Sequence, residues 1–167
     1  FDGRPGGTGS AKELTISSIN TTGQAVRFIN DATYNVLKYL TIQGINTTTS
    51  STAGVVLFST TTGTTGNDNN TIEYCSLKDG TTTPAVIINS LGTNTTTTHL
   101  NSNITVSNNS ISNFFGTSGG GGIQLSSGNA DWTITDNHIF QTATRTATGA
   151  TNNFGILVTG NNYTITG

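Results

Sequence analysis

Charge is nearly missing from this chain. Only 14 of 167 residues are Lys, Arg, Asp or Glu, 8%, against about 25% in an ordinary globular domain. Six of them are basic and the net charge is −2, which excludes the phosphate neutralisation that nucleic-acid binding rests on. Cys75 is the single cysteine, so a disulfide scaffold is excluded. No apolar run approaches the roughly 18 residues of a membrane-spanning helix. Ala, Leu, Glu and Lys are scarce. Thr, Ser, Asn and Gly make up 92 of the 167 residues, and Thr, Asn and Gly are poor helix formers, which argues against a helical bundle. Tracts such as Thr95–Thr98 have the look of low complexity. The near-zero net charge and evenly spaced apolar clusters argue instead for one folded domain spanning 1–167. The chain opens without a Met or a leader and stops inside a repeating pattern, so the expectation is a segment incomplete at both ends.

The apolar clusters repeat. One strand class, A, starts with a small residue and then alternates: Ala25-Val26-Arg27-Phe28, Gly54-Val55-Val56-Leu57, Ala85-Val86-Ile87-Ile88, Gly122-Ile123-Gln124-Leu125 and Gly155-Ile156-Leu157-Val158. Its first apolar positions, 26, 55, 86, 123 and 156, are 29, 31, 37 and 33 residues apart. A second class, B, follows each A strand, with anchors at Leu37, Ile72, Val106, Ile134 and Ile165, spaced by 35, 34, 28 and 31. A partial turn precedes them at Leu14-Thr15-Ile16. Alternation gives each strand one inward face. A constant A–B order with a nearly constant period predicts about five coils stacked in parallel, each strand pairing with its own copy and the loops absorbing the differences in length.

Strand B carries a kink. Leu40, Cys75, Asn109 and Asn137 fall in one column, two residues before the inward Ile42, Leu77, Ile111 and Ile139. An inward Asn can satisfy backbone groups where a coil bends, and stacked Asn residues can bond along the ladder. Cys75 in that column reads as a buried filler rather than a nucleophile.

The segments Asn103–Phe114 and Ala130–Gln141 resemble repeats of right-handed parallel β-helix proteins, the pectin-lyase-like architecture. The opening Phe1-Asp2-Gly3-Arg4-Pro5-Gly6-Gly7, the Thr-rich turns and the segment Gly66–Ile72 resemble modules of very large secreted surface proteins of Bacteroidota. The resemblance implies an all-β parallel solenoid, an extracellular or cell-surface location, and neighbouring coils or modules of the same protein as partners, with surface glycans or self-association beyond them. An antiparallel sandwich would explain the alternation but not the repeated A–B order.

Enzymes of this architecture cut polysaccharides. The resemblance implies that a lyase would use calcium held by clustered carboxylates, and a hydrolase two or three Asp, because leaving-group protonation and water activation need separate carboxyl groups. This chain has six Asp and two Glu, with no Asp-Asp, Gly-His-Gly or Arg-x-Lys motif. The best carboxylate constellation is Asp31 with Asp68, in the A-to-B loops of adjacent coils, with Asp131 two coils further on. Asp68, within Asn67-Asp68-Asn69-Asn70, is also the best metal candidate, with only one charge to offer. Asp79-Gly80 reads as a turn. His99 and His138 have no second His at ligand spacing. Seven glycosylation sequons match what this composition gives by chance.

Two surface features remain. Outside strand B, Thr105/Ser107, Thr133/Thr135 and Thr164/Thr166 form a Thr-x-Thr-like array, extended by Thr71 and broken by Lys38 and Glu73. Such ranks resemble ice-binding β-helices, although Thr is also the favoured polar residue of an exposed strand. Outside strand A, Val56, Ile87 and Leu157, joined by Phe58, are expected to form an apolar contact surface covered by the chain's own long loops or by another chain. The reading is therefore a non-catalytic extracellular structural or adhesin-type module without cofactor or metal. The rivals are a fragment of a polysaccharide lyase or glycoside hydrolase with its active site elsewhere, a self-assembling fibre subunit, and an ice-binding β-helix.

Overall fold

A computed structural model describes residues 1–147, 151–159 and 162–167. The chain winds into a parallel β-solenoid of about four turns rather than the expected five. Strand B splits at its kink, so each coil contributes to three parallel sheets. The A sheet stacks Val26–Phe28, Val56–Phe58, Val86–Ser90, Gly120–Leu125 and Asn153–Val158. The B sheet stacks Val36–Lys38, Thr71–Glu73, Thr105–Ser107, Thr133–Thr135 and Thr164–Thr166. The B′ sheet, after the kink, stacks Thr15–Ser18, Thr41–Gly44, Ser76–Asp79, Ser110–Ser112 and His138–Phe140. Length differences fall in the loops, including 141–152, of which residues 148–150 lie outside the described residues.

The core consists of columns, one residue per coil. Leu37, Ile72, Val106, Ile134 and Ile165 pair in register along the B sheet. Ile16, Ile42, Leu77, Ile111 and Ile139 do so along B′. On the A sheet the aligned column is Val26, Val56, Ile88, Ile123 and Ile156. This corrects the sequence-based alignment at two coils, where Val55 and Val86 stood as anchors. Gly54 takes a φ of 125°, and the Val55 N–H is shared between the Val86 and Ile87 carbonyls. The irregular entry shifts the strand, as a bulge does, and two consecutive residues, Val55 with Val56 and Ile87 with Ile88, join the core cluster. One column inward, Phe28 stacks on Phe58 at 4.3 Å, and the Trp132 edge meets Phe58 at 5.0 Å.

Each B strand is three residues long because left-handed residues bracket it. Before the strand stand Tyr34, Asn69, Asn103, Asp131 and Asn162, and after it Tyr39, Tyr74, Asn108 and Asp136, all with φ between 51° and 61°. Asn and Asp tolerate this region, whereas a bulky side chain there is strained. Tyr39 and Tyr74 recover some of that cost, since their rings stack at 5.0 Å and the Arg4 guanidinium covers Tyr39. Below them Phe1–Gly3 adds a rung to the B sheet: Lys38 N–H donates to Phe1 O, and Gly3 N–H donates to Lys38 O. A Cβ on Gly3 would lie 2.0 Å from the Tyr39 carbonyl oxygen, so the rung requires glycine.

Tyr34 has no such compensation. It is 77% exposed and left-handed where later coils use Asn or Asp. Tyr34→Asn is therefore expected to stabilise the fold by about 1 kcal/mol, the lower end of the left-handed penalty for a side chain with a Cβ. Denaturant unfolding would show this as a raised midpoint at unchanged slope.

Candidate functional site

Asp31 and Asp68 lie on A-to-B loops of adjacent coils, and each turns to the coil that follows it. Asp31 Oδ1 accepts from the Thr61 hydroxyl, and Asp31 Oδ2 accepts from the Thr64 N–H at 2.8 Å. Asp68 Oδ1 accepts from the backbone N–H and hydroxyl of Ser102, at 2.8 and 3.0 Å. The Thr61 hydroxyl holds the Asp31 carboxyl below the usual carboxylate range, against a smaller opposing effect of desolvation. The two carboxylates thus brace separate loops. Asp131 is exposed and occupies the left-handed column before its B strand. Among the described residues, no three His, Cys, Asp or Glu side chains gather as a metal site would require. His99 is held by the Thr95 and Thr96 hydroxyls, and exposed His138 stacks on Phe140.

At the B–B′ corner Leu40, Cys75, Asn109 and Asn137 stand in one column. Asn109 Oδ1 accepts from the Cys75 N–H at 2.8 Å, and Asn137 Oδ1 accepts from the Asn109 N–H at 3.0 Å. The amide nitrogens donate to carbonyls of the preceding coil, Asn109 to Ile72 and Asn137 to Val106. Cys75 performs half of this role. Its thiol donates to the Leu37 and Glu73 carbonyls, where an Asn side chain would donate. Burial raises its pKa to about 11, so at neutral pH it is the protonated donor and not a nucleophilic thiolate.

A second Asn column, which the sequence reading missed, lines the A–B corner. Asn67 Oδ1 accepts from Ala32 N–H, and Asn101 Oδ1 accepts from both nitrogens of Asn67. Asn101 Nδ2 donates to Ser59 O and the Ser90 hydroxyl, which in turn donates to Asn129 Oδ1. Trp132 Nε1 donates to the Asn101 carbonyl. Asn67, Asn101 and Asn129 are buried. The signal was present in the sequence: each stands five residues before a B anchor, Ile72, Val106 or Ile134.

The expected apolar contact surface is corrected. Val56, Phe58 and Ile87 belong to the buried core cluster. The one-residue shift at Gly54–Val55 turns Val56 and Phe58 inward, and the shared bond at Val86–Ile87 accompanies the inward packing of Ile87. The outer column of the A sheet is Arg27, Leu57, Asn89, Gln124 and Leu157. Leu57 is buried beside the loop that precedes its strand, in a cleft of about 410 Å³ lined by Gln24, Arg27, Thr48, Ser50 and Thr52. Leu157 is half-buried in a second cleft of about 270 Å³ with Gln124, Thr151 and Phe154. Asn89 holds the loop between these clefts, donating to the carbonyls of Ser50, Ser51 and Ala53.

Two expectations follow for the corner columns. Asn101→Leu removes both acceptors and donors from a site closed to water and should destabilise by more than about 3 kcal/mol, since each buried unpaired group costs about 1–3 kcal/mol. Asn137→Leu, at a half-buried position, should cost less. Cys75→Asn should raise stability by about 1 kcal/mol, because its Oδ1 is a stronger acceptor for the Leu40 N–H than the Cys75 sulfur that faces it. Chemical denaturation of the three variants gives the order. Comparison of the chain with protein-family models, with curated proteins and with solved structures finds no match.

Proposed function

We propose that the chain is a non-catalytic structural module: a rigid spacer or adhesin-type segment of a secreted or surface-exposed bacterial protein, like the surface modules its sequence resembles. One observation carries the reading. The carboxylates that could have formed an acid–base pair, Asp31 and Asp68, are each engaged with backbone and hydroxyl groups of the next coil. The other features agree with it. Four coils at the parallel-strand spacing of about 4.8 Å make a segment about 20 Å long. Its corners are tied by amide columns, and its outer B face is a rank of Thr and Ser with few charges. Partners that suit such a module are neighbouring coils or modules of the same protein, surface glycans, and further copies of itself.

Incubation with pectin, alginate and xylan, with and without calcium, should release no new reducing ends or unsaturated products. Turnover that disappears in Asp31→Asn or Asp68→Asn would overturn the structural reading and restore a polysaccharide-cleaving one.

A further inference from the structure

The corner between the B′ and A sheets changes character along the solenoid. Val55 and Ile87 stand one residue before the aligned Val56 and Ile88, and both belong to the buried core. In the next two A strands that position is glycine: Gly122 precedes Ile123, and Gly155 precedes Ile156. At Gly122 the vacated space is filled, since a Cβ there would lie 2.9 Å from Ile139 Cγ2 and 3.2 Å from Phe114 Cε1. At Gly155 it is open. A Cβ there would meet only Ile139 Cγ2, at 4.0 Å, and no left-handed φ calls for glycine.

Gly155 borders an apolar pocket of about 430 Å³, lined also by Ile139, the buried Phe114, and Phe115, Phe140 and Phe154. One charge reaches it. Arg145 lines the pocket and is held in place by Gln141, whose Nε2 donates to the Phe114 carbonyl at 2.8 Å and whose Oε1 accepts from Arg145 Nε at 3.2 Å. The start of this loop is tied down as well, because Thr142 donates to Asn113 Oδ1 through its N–H and its hydroxyl. The Arg145 Nη groups have no acceptor among the described residues. No Asp or Glu occurs from 137 to 167, and the ion-paired cations Arg4 and Lys38 both use Asp2.

We infer that this pocket is a binding site for a small carboxylic acid with an apolar body, which lies against Gly155 and the Phe side chains while its carboxylate meets the Arg145 guanidinium. The lining sets the class. An apolar, aromatic pocket with a few fixed polar groups is the usual form of a small-molecule site, and the volume falls in the ordinary range of about 300–1,000 Å³. A guanidinium takes a carboxylate in a fork of two parallel N–H donors. Gln141 occupies Nε, which leaves the Nη1–Nη2 edge for that fork. A polyhydroxylated ligand would find little to bond, because the Gln141 and Asn153 amides are already engaged with the Phe114 and Gly116 backbone. This goes beyond the spacer reading: it gives one corner of the module a ligand, whatever the module is for.

The test is a titration of the isotope-labelled chain with hydrocinnamate, followed by amide and Arg side-chain chemical shifts. Saturable shifts should centre on the Gly155 and Phe115 amides and the Arg145 Nε–H. The uncharged amide of the same acid should bind about fivefold more weakly, the upper end for an ion pair at a partly exposed site. Arg145→Gln should weaken binding of the acid by about the same factor and leave binding of the amide unchanged. Gly155→Val restores the kind of side chain that earlier coils carry and fills the pocket. It should abolish binding of both compounds without lowering the midpoint of denaturant unfolding. The site is overturned by the absence of saturable shifts at these residues, by equal affinity for acid and amide, or by undiminished binding in folded Gly155→Val. If Gly155→Val does not fold, Arg145→Gln, a change on the surface loop, decides in the same way. None of these results bears on the spacer reading, which polysaccharide turnover decides.

Discussion

Satisfying the backbone at the corners is the constraint on which the rest of this solenoid depends. Strands in register bond to their copies without help, but a chain that turns three times per coil exposes N–H and C=O groups at every bend, and the inner ones face a dry core. Side-chain amides solve this here because Asn can accept and donate at once. The Asn67–Asn101–Asn129 column does so at one corner, and Asn109–Asn137 at the next. Cys75 keeps the donor half of this function, and Leu40, one coil earlier in the same column, has neither half. Left-handed residues on either side of each B strand provide the change of direction that makes these amides point inward.

The same economy explains the composition. A coil needs one or two apolar residues per strand, in the later coils an Asn at the A–B and B–B′ corners, and a polar outer face for which Thr is well suited. Ion pairs have little to do in such a scheme, and the Asp2 cluster with Arg4 and Lys38 is confined to the edge of the first rung. The Arg4 guanidinium holds the Asp2 carboxyl well below the usual range.

The B and B′ columns were legible in the sequence because their three-residue strands sit between fixed brackets, so Ile72, Val106 and Ile134 keep the same offsets from the corners in every coil. The A strands were less legible. They have no bracket, their entries vary, and a glycine at position 54 shifts the register in a way that apolar alternation cannot show. A pair such as Val55-Val56 satisfies either alignment equally well, and Val56, Phe58 and Ile87 were placed on the wrong face for that reason. At the candidate site, the sequence showed that Asp31 and Asp68 occupy neighbouring loops. It could not show that each faces a donor in the next coil, because that depends on the lengths and paths of the Thr61–Thr64 and Leu100–Ser102 segments.

The amide columns also have a direction. Ala32 N–H donates to Asn67, Asn67 to Asn101, Cys75 to Asn109, and Asn109 to Asn137. In every case the acceptor comes from the later coil. These corner N–H groups are thus completed by the succeeding coil, while ladder N–H groups such as those of Thr105 and Ser110 donate back to the preceding one. During synthesis from the N-terminus, the newest coil is always the one with open corner N–H groups, and closing it requires the next repeat to emerge. The hydrogen-bond direction of the corners thus suits a chain in which order advances one coil behind the growing end.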